Sequence, residues 1–205
     1  VAAVLGREFP LVMLAALMEG GRFALDAGTL AEHLTTLEQS GLLCPEGAGQ
    51  YAFKHALVRD TAYASLWARD RQALHACMVD LLRRRWPEIA ARRPELLAHH
   101  QTEAGQHADA LAQWERAARN AAARSAELEA ISHLRHALAL LARTPAGSER
   151  DRTALRLQLM LAARLIATEG YGAESVARAY AEAGRLCDAL GDEAARFKVE
   201  MGLEA

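Results

Sequence analysis

From Pro94 to the C-terminus, apolar residues recur at helical spacing in one segment after another, with only a few residues between segments. Leu128, Ile131, Leu134, Leu138 and Leu141 make one stripe; Val176, Tyr180, Ala183, Leu186, Cys187 and Leu190 make a second. Helices are expected at about 95–104, 107–124, 127–142, 150–168, 173–190 and 193 to the end. Each has one apolar face to hide. Short, closely connected helices hide such faces by stacking as antiparallel pairs, so an α-solenoid is expected rather than a closed bundle of six unequal members. Alanine supplies 46 of the 205 residues and aromatic residues only 5 %, a balance that suits close helix packing and excludes all-β folds.

Residues 1–93 follow a different pattern, and the boundary is placed near Pro94, where Arg92, Arg93 and Pro94 interrupt the helical period. Residues 8–18 read as a short helix. Thr29-Leu-Ala-Glu32 reads as a capping box opening a second, with Leu30, Leu34 and Leu37 as its apolar face and Gly41 as its end. Two extended runs, 42–44 and 51–53, flank the turn-rich Pro45-Glu-Gly-Ala-Gly49 and predict a hairpin. Helices are expected again at 56–66 and 70–86. Helix, helix, hairpin, helix is the order of a winged-helix module, and Tyr51, Phe53, Tyr63 and Trp67 are expected in its core.

Within the helical half, Leu97 on one helix is followed by Gly105, Ala110-Leu111, Trp114 and Ala117. This alternation of small and large residues resembles the tetratricopeptide repeat. A second copy, Ala130-Ile131, Leu134 and Ala137-Leu138, lies twenty residues on rather than thirty-four, so the repeats are degenerate. Ala110 and Ala117 would let helix backbones approach, while Trp114 and Leu134 fill the groove between neighbours. The fold class expected is mainly α: a winged-helix module with a small β-hairpin over 1–93, then a tetratricopeptide-like α-solenoid over 94–205, incomplete at its C-terminus.

No phosphate-binding loop, dinucleotide fingerprint, nucleophile elbow or zinc-protease motif is present, so no catalytic residues are assigned within the chain. Among eight histidines, His99, His100 and His107 are close in sequence and His133 and His136 share a helical face, but no carboxylate or cysteine completes a ligand set at a recognisable spacing. No metal is expected. Cys44, Cys77 and Cys187 are an odd number, widely separated, and read as small apolar core residues in a reducing compartment. DNA is an unfavoured partner. The recognition-helix candidate, 29–40, carries Glu32 and Glu38 without Lys or Arg, the wing adds Glu46, and phosphate neutralisation supplies most non-specific DNA affinity. Arg83, Arg84 and Arg85 sit together where cations complement a helix C-terminus. With a net charge of -2, no apolar run of spanning length and no leader, a cytoplasmic chain without a membrane partner is expected. Because it begins at Val1 and stops within a helical pattern, it is expected to be an excerpt of a longer protein.

The string Phe53-Lys-His-Ala-Leu-Val-Arg-Asp-Thr-Ala-Tyr63 runs from the second wing strand into a helix. It resembles the winged-helix domain of the signal-transduction ATPases with numerous domains, where a Met-His-Asp motif precedes Leu-Val-Arg-Asp and the histidine approaches the phosphates of ADP. His55 matches that histidine, and Ala56 stands where the family has its aspartate latch. The segments Val4-Leu-Gly-Arg-Glu-Phe9, Glu95-Leu-Leu-Ala-His-His100 with Glu103-Ala-Gly105, Ala130-Ile-Ser-His-Leu-Arg-His-Ala-Leu138 and Ala167-Thr-Glu-Gly-Tyr-Gly172 extend the likeness to nearly the whole chain. They are similar to bacterial multidomain ATPases in which a class III adenylate or guanylate cyclase and an AAA-like core precede a winged helix and tetratricopeptide-type helices.

The resemblance implies a non-catalytic regulatory and scaffold segment. ATP or ADP would be bound by an upstream ATPase core in the same polypeptide, with His55, Lys54 and Arg59 as its nucleotide-sensing residues, and the repeats would bind a protein or small-molecule effector. Read without it, His55 is an imidazole at a strand-to-helix junction, able to donate to a phosphate of an adjacent domain or to a local carbonyl. Arg59 and Asp60 read as a helix-surface pair. Two other functions stay open: a DNA-binding regulator with a helical sensor arm, and a free-standing helical-repeat adaptor.

Overall fold

The computed structural model describes residues 1–19 and 23–203, and it is mainly helical, 73 % helix, with one small antiparallel sheet. A 3-10 turn at Ala2–Val4 leads to strand β1 (Glu8–Pro10) and helix α1 (Leu11–Leu17); α2 (Ala27–Gln39), β2 (Leu43–Gly47), β3 (Gln50–Phe53), α3 (Ala56–Ala64) and α4 (Ala68–Arg84) follow. The remaining elements are α5 (Pro87–Arg92), α6 (Pro94–Glu103), α7 (His107–Ala123), α8 (Glu127–Leu141), α9 (Ser148–Glu169), α10 (Glu174–Leu190) and α11 (Glu193–Leu203). Residues 204 and 205, where a continuation of the last helix was expected, lie outside the described residues. The chain divides into two units, Val1–Ile89 with Glu103–Gly105, and Ala90–Thr102 with Gln106–Ala205. The division after Ile89 falls a few residues before Pro94, because Pro87 and Pro94 enclose a one-and-a-half-turn helix between them.

The first unit is built around a sheet of order β1-β3-β2. A helix beginning at Glu8 is not formed. Glu8, Phe9 and Pro10 instead pair with Ala52, Tyr51 and Gln50, and the helix starts only at Leu11, after Pro10 in an extended conformation. Phe9 is fully buried, its ring stacked on Tyr51 at 6.1 Å and tilted on Phe53 at 5.8 Å, and this aromatic burial outweighs the local helical pattern. The hairpin of β2 and β3 turns through Ala48 and Gly49, both at positive φ, as a two-residue turn requires when its twist is to match the strands. Helix α2 is capped not by Thr29 but by Asp26, whose carboxylate accepts from the Gly28 and Thr29 amides and from the Thr29 hydroxyl at 2.6 Å. Thr29 already lies in the first turn. Leu30, Leu34, Leu14, Leu43 and Phe53 close the core, with Leu37, Tyr51 and Tyr63 half-buried at its edge. Trp67, expected there, is 72 % exposed, being the residue before the first turn of α4. Of the three cysteines expected in the core only Cys187 is buried, Cys77 being exposed on α4 beside the buried face of Leu74, Met78 and Leu82.

In the second unit, α7 to α11 pack each against the next. Ala110, Ala117, Ala130 and Ala137 are all buried, and their lack of side-chain bulk lets these helices close on Trp114, Ile131 and Leu134. Leu97 is buried on α6, while Leu111, Leu138, Leu186 and Leu190 are half-buried against the same core. Leu128 departs from its expected stripe and is 76 % exposed. At 3.6 residues per turn it stands about 100° from the centre of the face that Ile131, Leu134, Leu138 and Leu141 share.

The twenty-residue echo in sequence has a physical counterpart in the turns. Gly105 and Ser125 both adopt positive φ, and the next amides, of Gln106 and Ala126, donate to carbonyls five residues back, of Gln101 and Ala121, at 2.9 and 3.0 Å. Gly191 repeats the pattern, with the Asp192 amide on the Cys187 carbonyl at 3.1 Å. Gly41 does the same at the end of α2, with the Leu42 amide on the Leu37 carbonyl at 3.0 Å, so among the described residues this helix-ending turn is used four times, three times on glycine and once on serine. Ser125→Gly is therefore expected to stabilise the chain by about 0.5–1 kcal/mol and Gly105→Ala to destabilise it by a similar amount, measured by urea unfolding. Equal midpoints for both variants would contradict the assignment. Among the described residues, no helix is long and apolar enough to cross a membrane.

Candidate functional site

Three residues carry the sequence-level site, and the structure treats them differently. Lys54 follows β3, exposed, its amide on the Leu42 carbonyl at 3.1 Å. Its ammonium lies 3.8 Å from where a Cβ on Gly41 would stand, beside the end of α2, where the helix dipole favours a cation. His55 is the residue preceding α3, in extended conformation, and its carbonyl accepts from the Val58 amide at 3.1 Å. Its ring is exposed and caps nothing, so the local-carbonyl role open to it is not taken up. Arg59 is engaged: its guanidinium pairs with Asp60 at 2.7 Å and lies 5.5 Å from the centre of the Tyr63 ring. The three are neighbours in the chain; His55 and Lys54 both present polar groups to solvent, while the Arg59 guanidinium is engaged by Asp60.

Helix α3 itself is unusual. None of its nine residues is buried, Leu57 is 75 % exposed, and Trp67 beyond its end is nearly as open. On its inner side Tyr63 anchors it. The Tyr63 hydroxyl donates to a Glu103 carboxylate oxygen at 3.1 Å and lies 3.0 Å from Nε2 of the fully buried His75. A hydroxyl has one proton; with that proton on Glu103, His75 must carry its own on Nε2 and donate it to the phenol oxygen. Burial and the Glu103 carboxylate both push the Tyr63 phenol above its ordinary pKa, so it stays neutral and keeps donating. Sequence reading placed Tyr63 in a core and passed over His75. The three partners lie 12 and 40 residues apart, with no spacing that announces them.

Four histidines of the helical half take part in ring packing. His136 stacks on Trp114 at 4.6 Å with planes 13° apart, and His133 lies 5.5 Å from the same ring. Trp114 donates its indole N–H to the Thr102 hydroxyl at 3.0 Å. His99 and His100 lie edge to face at 5.3 Å. Among the described residues, no three His, Cys, Asp or Glu side chains gather as a metal ligand set. Within the arginine cluster, Arg85 reaches both oxygens of Glu19 at 2.8 and 2.9 Å.

His133 gives the unit a pH dependence. Burial, aided by the His136 and Arg124 charges and opposed by Glu95 and Glu129, holds its pKa below the ordinary 6.5. The unfolded chain then binds more protons than the native one as pH falls below 6.5, so the stabilisation present above that value is lost on descending through the folded pKa. His133→Asn is expected to flatten this acid limb of an unfolding-midpoint profile, and an unchanged limb would contradict it.

Over 186 residues, 89 % of its length, the chain is 30 % identical to an uncharacterized protein of Rhizobium meliloti (strain 1021), and it spans 18 % of that protein's length. No family model matches the chain, and no solved structure matches it.

Proposed function

We propose that the chain is a non-catalytic regulatory and scaffold segment of a bacterial signal-transduction ATPase. Its first part is a winged-helix module that packs on a nucleotide-binding core of the same polypeptide, and its tetratricopeptide-like helices receive a protein or small-molecule effector. The observation that carries this reading is α3. A nine-residue helix is too short to persist on propensity, and normally depends on burying one face. Here no residue is fully buried, only Val58, Arg59 and Tyr63 being half-buried, two large apolar side chains stand open at Leu57 and Trp67, and the uncommitted imidazole of His55 sits at the same end as Leu57. Such a surface fits a protein partner with an anion at its edge. That the chain spans 18 % of its Rhizobium relative supports its reading as one segment of a larger protein.

The reading makes the nucleotide the property of the neighbouring core and gives His55 the role of sensing its phosphates. A hydrogen bond to a charged phosphate is worth about 1.5–3 kcal/mol. His55→Ala in the intact polypeptide is therefore expected to weaken ADP binding by roughly ten-fold or more. Lys54→Ala, whose ammonium lies beside α2, is expected to change it little. An ADP affinity unaltered by His55→Ala would remove the nucleotide-sensing role.

A further inference from the structure

A cavity of about 650 Å³ opens in the second unit between α7, α8 and α9, a volume within the range of small-molecule sites. Leu134, Leu155, Leu159 and Met160 give it an apolar floor, in which the unbranched Met160 can adapt to a ligand's shape. Its rim carries four arginines, Arg119, Arg152, Arg156 and Arg164, against a single lining carboxylate, Asp192.

The charges behind that rim decide what the cavity accepts. Arg164 faces Glu127 at 3.2 Å, and Arg152 faces Glu149 at 3.7 Å. Asp192 accepts the Ala195 amide at 2.9 Å, held by the N-terminus of α11. Arg119 and Arg156, however, share one partner. Both contact the same oxygen of Glu115, a carboxylate 8 % exposed, so two guanidinium charges meet one negative charge. Each guanidinium has five N–H donors, and both side chains are about half exposed. At that corner two guanidiniums meet one carboxylate and leave unused donors beside the apolar floor, held in place by the buried Glu115, while Asp192 balances the charge over the cavity as a whole.

We propose that this cavity binds a small amphiphilic anion: an apolar chain or ring on the floor, and a carboxylate or similar monoanionic head between Arg119 and Arg156. This deepens the reading of the helical repeats as the effector-receiving part, and rests on it for the ligand's regulatory role though not for binding itself. A cationic head placed between Arg119 and Arg156 would meet two guanidiniums, and an uncharged chain forgoes the head-group contact. A highly charged nucleotide finds too much apolar surface.

The test uses the 205-residue chain, titrated calorimetrically with decanoate, decanol and decylamine below their aggregation thresholds. Decanoate is expected to bind one-to-one and about ten-fold more tightly than either neutral or cationic probe. Arg156→Ala leaves Glu115 paired with Arg119, so it removes one of the two head-group guanidiniums without stranding a buried carboxylate, and should bring decanoate down to the level of decanol. Leu159→Glu should abolish binding of both, and a thermal unfolding midpoint within a degree or two of the parent establishes that the variant is folded. Should it fail to fold, the Arg156→Ala comparison still decides. Equal binding of the three probes, an affinity indifferent to Arg156→Ala, or an affinity that weakens as protein concentration rises, as a second copy covering the cavity would cause, each overturns the proposal. If decanoate binds as expected but leaves ADP affinity of the intact polypeptide unchanged, the site stands and the regulatory reading of the repeats fails.

Discussion

Trp114→Ala is expected to remove about 3–5 kcal/mol of stability, the cost of deleting a buried aromatic side chain where neighbours cannot fully collapse. The ring is 7 % exposed, lies at the meeting of α7 and α8, and bears the stacked imidazole of His136. Its N–H bond to Thr102 is a smaller part of the effect, because the Thr102 hydroxyl keeps its own bond to the Ala98 carbonyl at 2.8 Å. Trp114→Phe, which keeps most of the volume and loses the bond, should cost only about 0.5–1.5 kcal/mol beyond the volume change. Hydrogen exchange locates the damage: protection of α7 and α8 amides should fall. A loss below 1 kcal/mol for the alanine variant would mean that Trp114 is not the wedge between these helices.

Phe9→Ala should be comparably severe in the first unit, again about 3–5 kcal/mol. Phe9 is fully buried and contacts Tyr51 and Phe53, so its deletion opens a void on which β1 and β3 both depend. A domain is stable by only about 5–15 kcal/mol, so either substitution removes a large share. Because the two residues belong to different compact units, Phe9→Ala should lower exchange protection first at β1 and β3 and Trp114→Ala first in α7 and α8. If both variants lost protection uniformly over the whole chain, the division into two units would not describe its energetics.

How much of this was legible in the sequence depends on the length of the element. From α6 onward the 3.6-residue period extends over ten or more residues, and the helices fall within a few residues of where it places them. β1 is three residues long, too short for any period to register, and its identity rests on Phe9 meeting Tyr51 and Phe53 some forty residues away. α5, Pro87–Arg92, is only six residues long and ends just before Pro94, too short for a helical period to register apart from the break read there. Leu128 and Trp67 look apolar enough to bury, but position on the helix face and in the turn decides against both.

The candidate sites divide in the same way. His55 could be picked out by its place in a string, whereas its lack of a local partner is a tertiary fact. The pair Glu115 and Arg119 shows in sequence as an i, i+4 contact; Arg156 joins it from 41 residues on, and only folding reveals two cations on one carboxylate. The Tyr63, His75 and Glu103 network, of which only His75 is buried, is likewise assembled from three separate helices.

The most direct test of the central claim is amide exchange of α3, residues 56–64, in the intact polypeptide with ADP bound and in the 205-residue chain alone. If α3 is the surface that docks on a nucleotide-binding core, its amides should exchange at least about ten-fold more slowly in the intact protein, while β3 changes little. Equal exchange of α3 in the two would contradict the docking role and leave Leu57, Trp67 and His55 as features of a free surface.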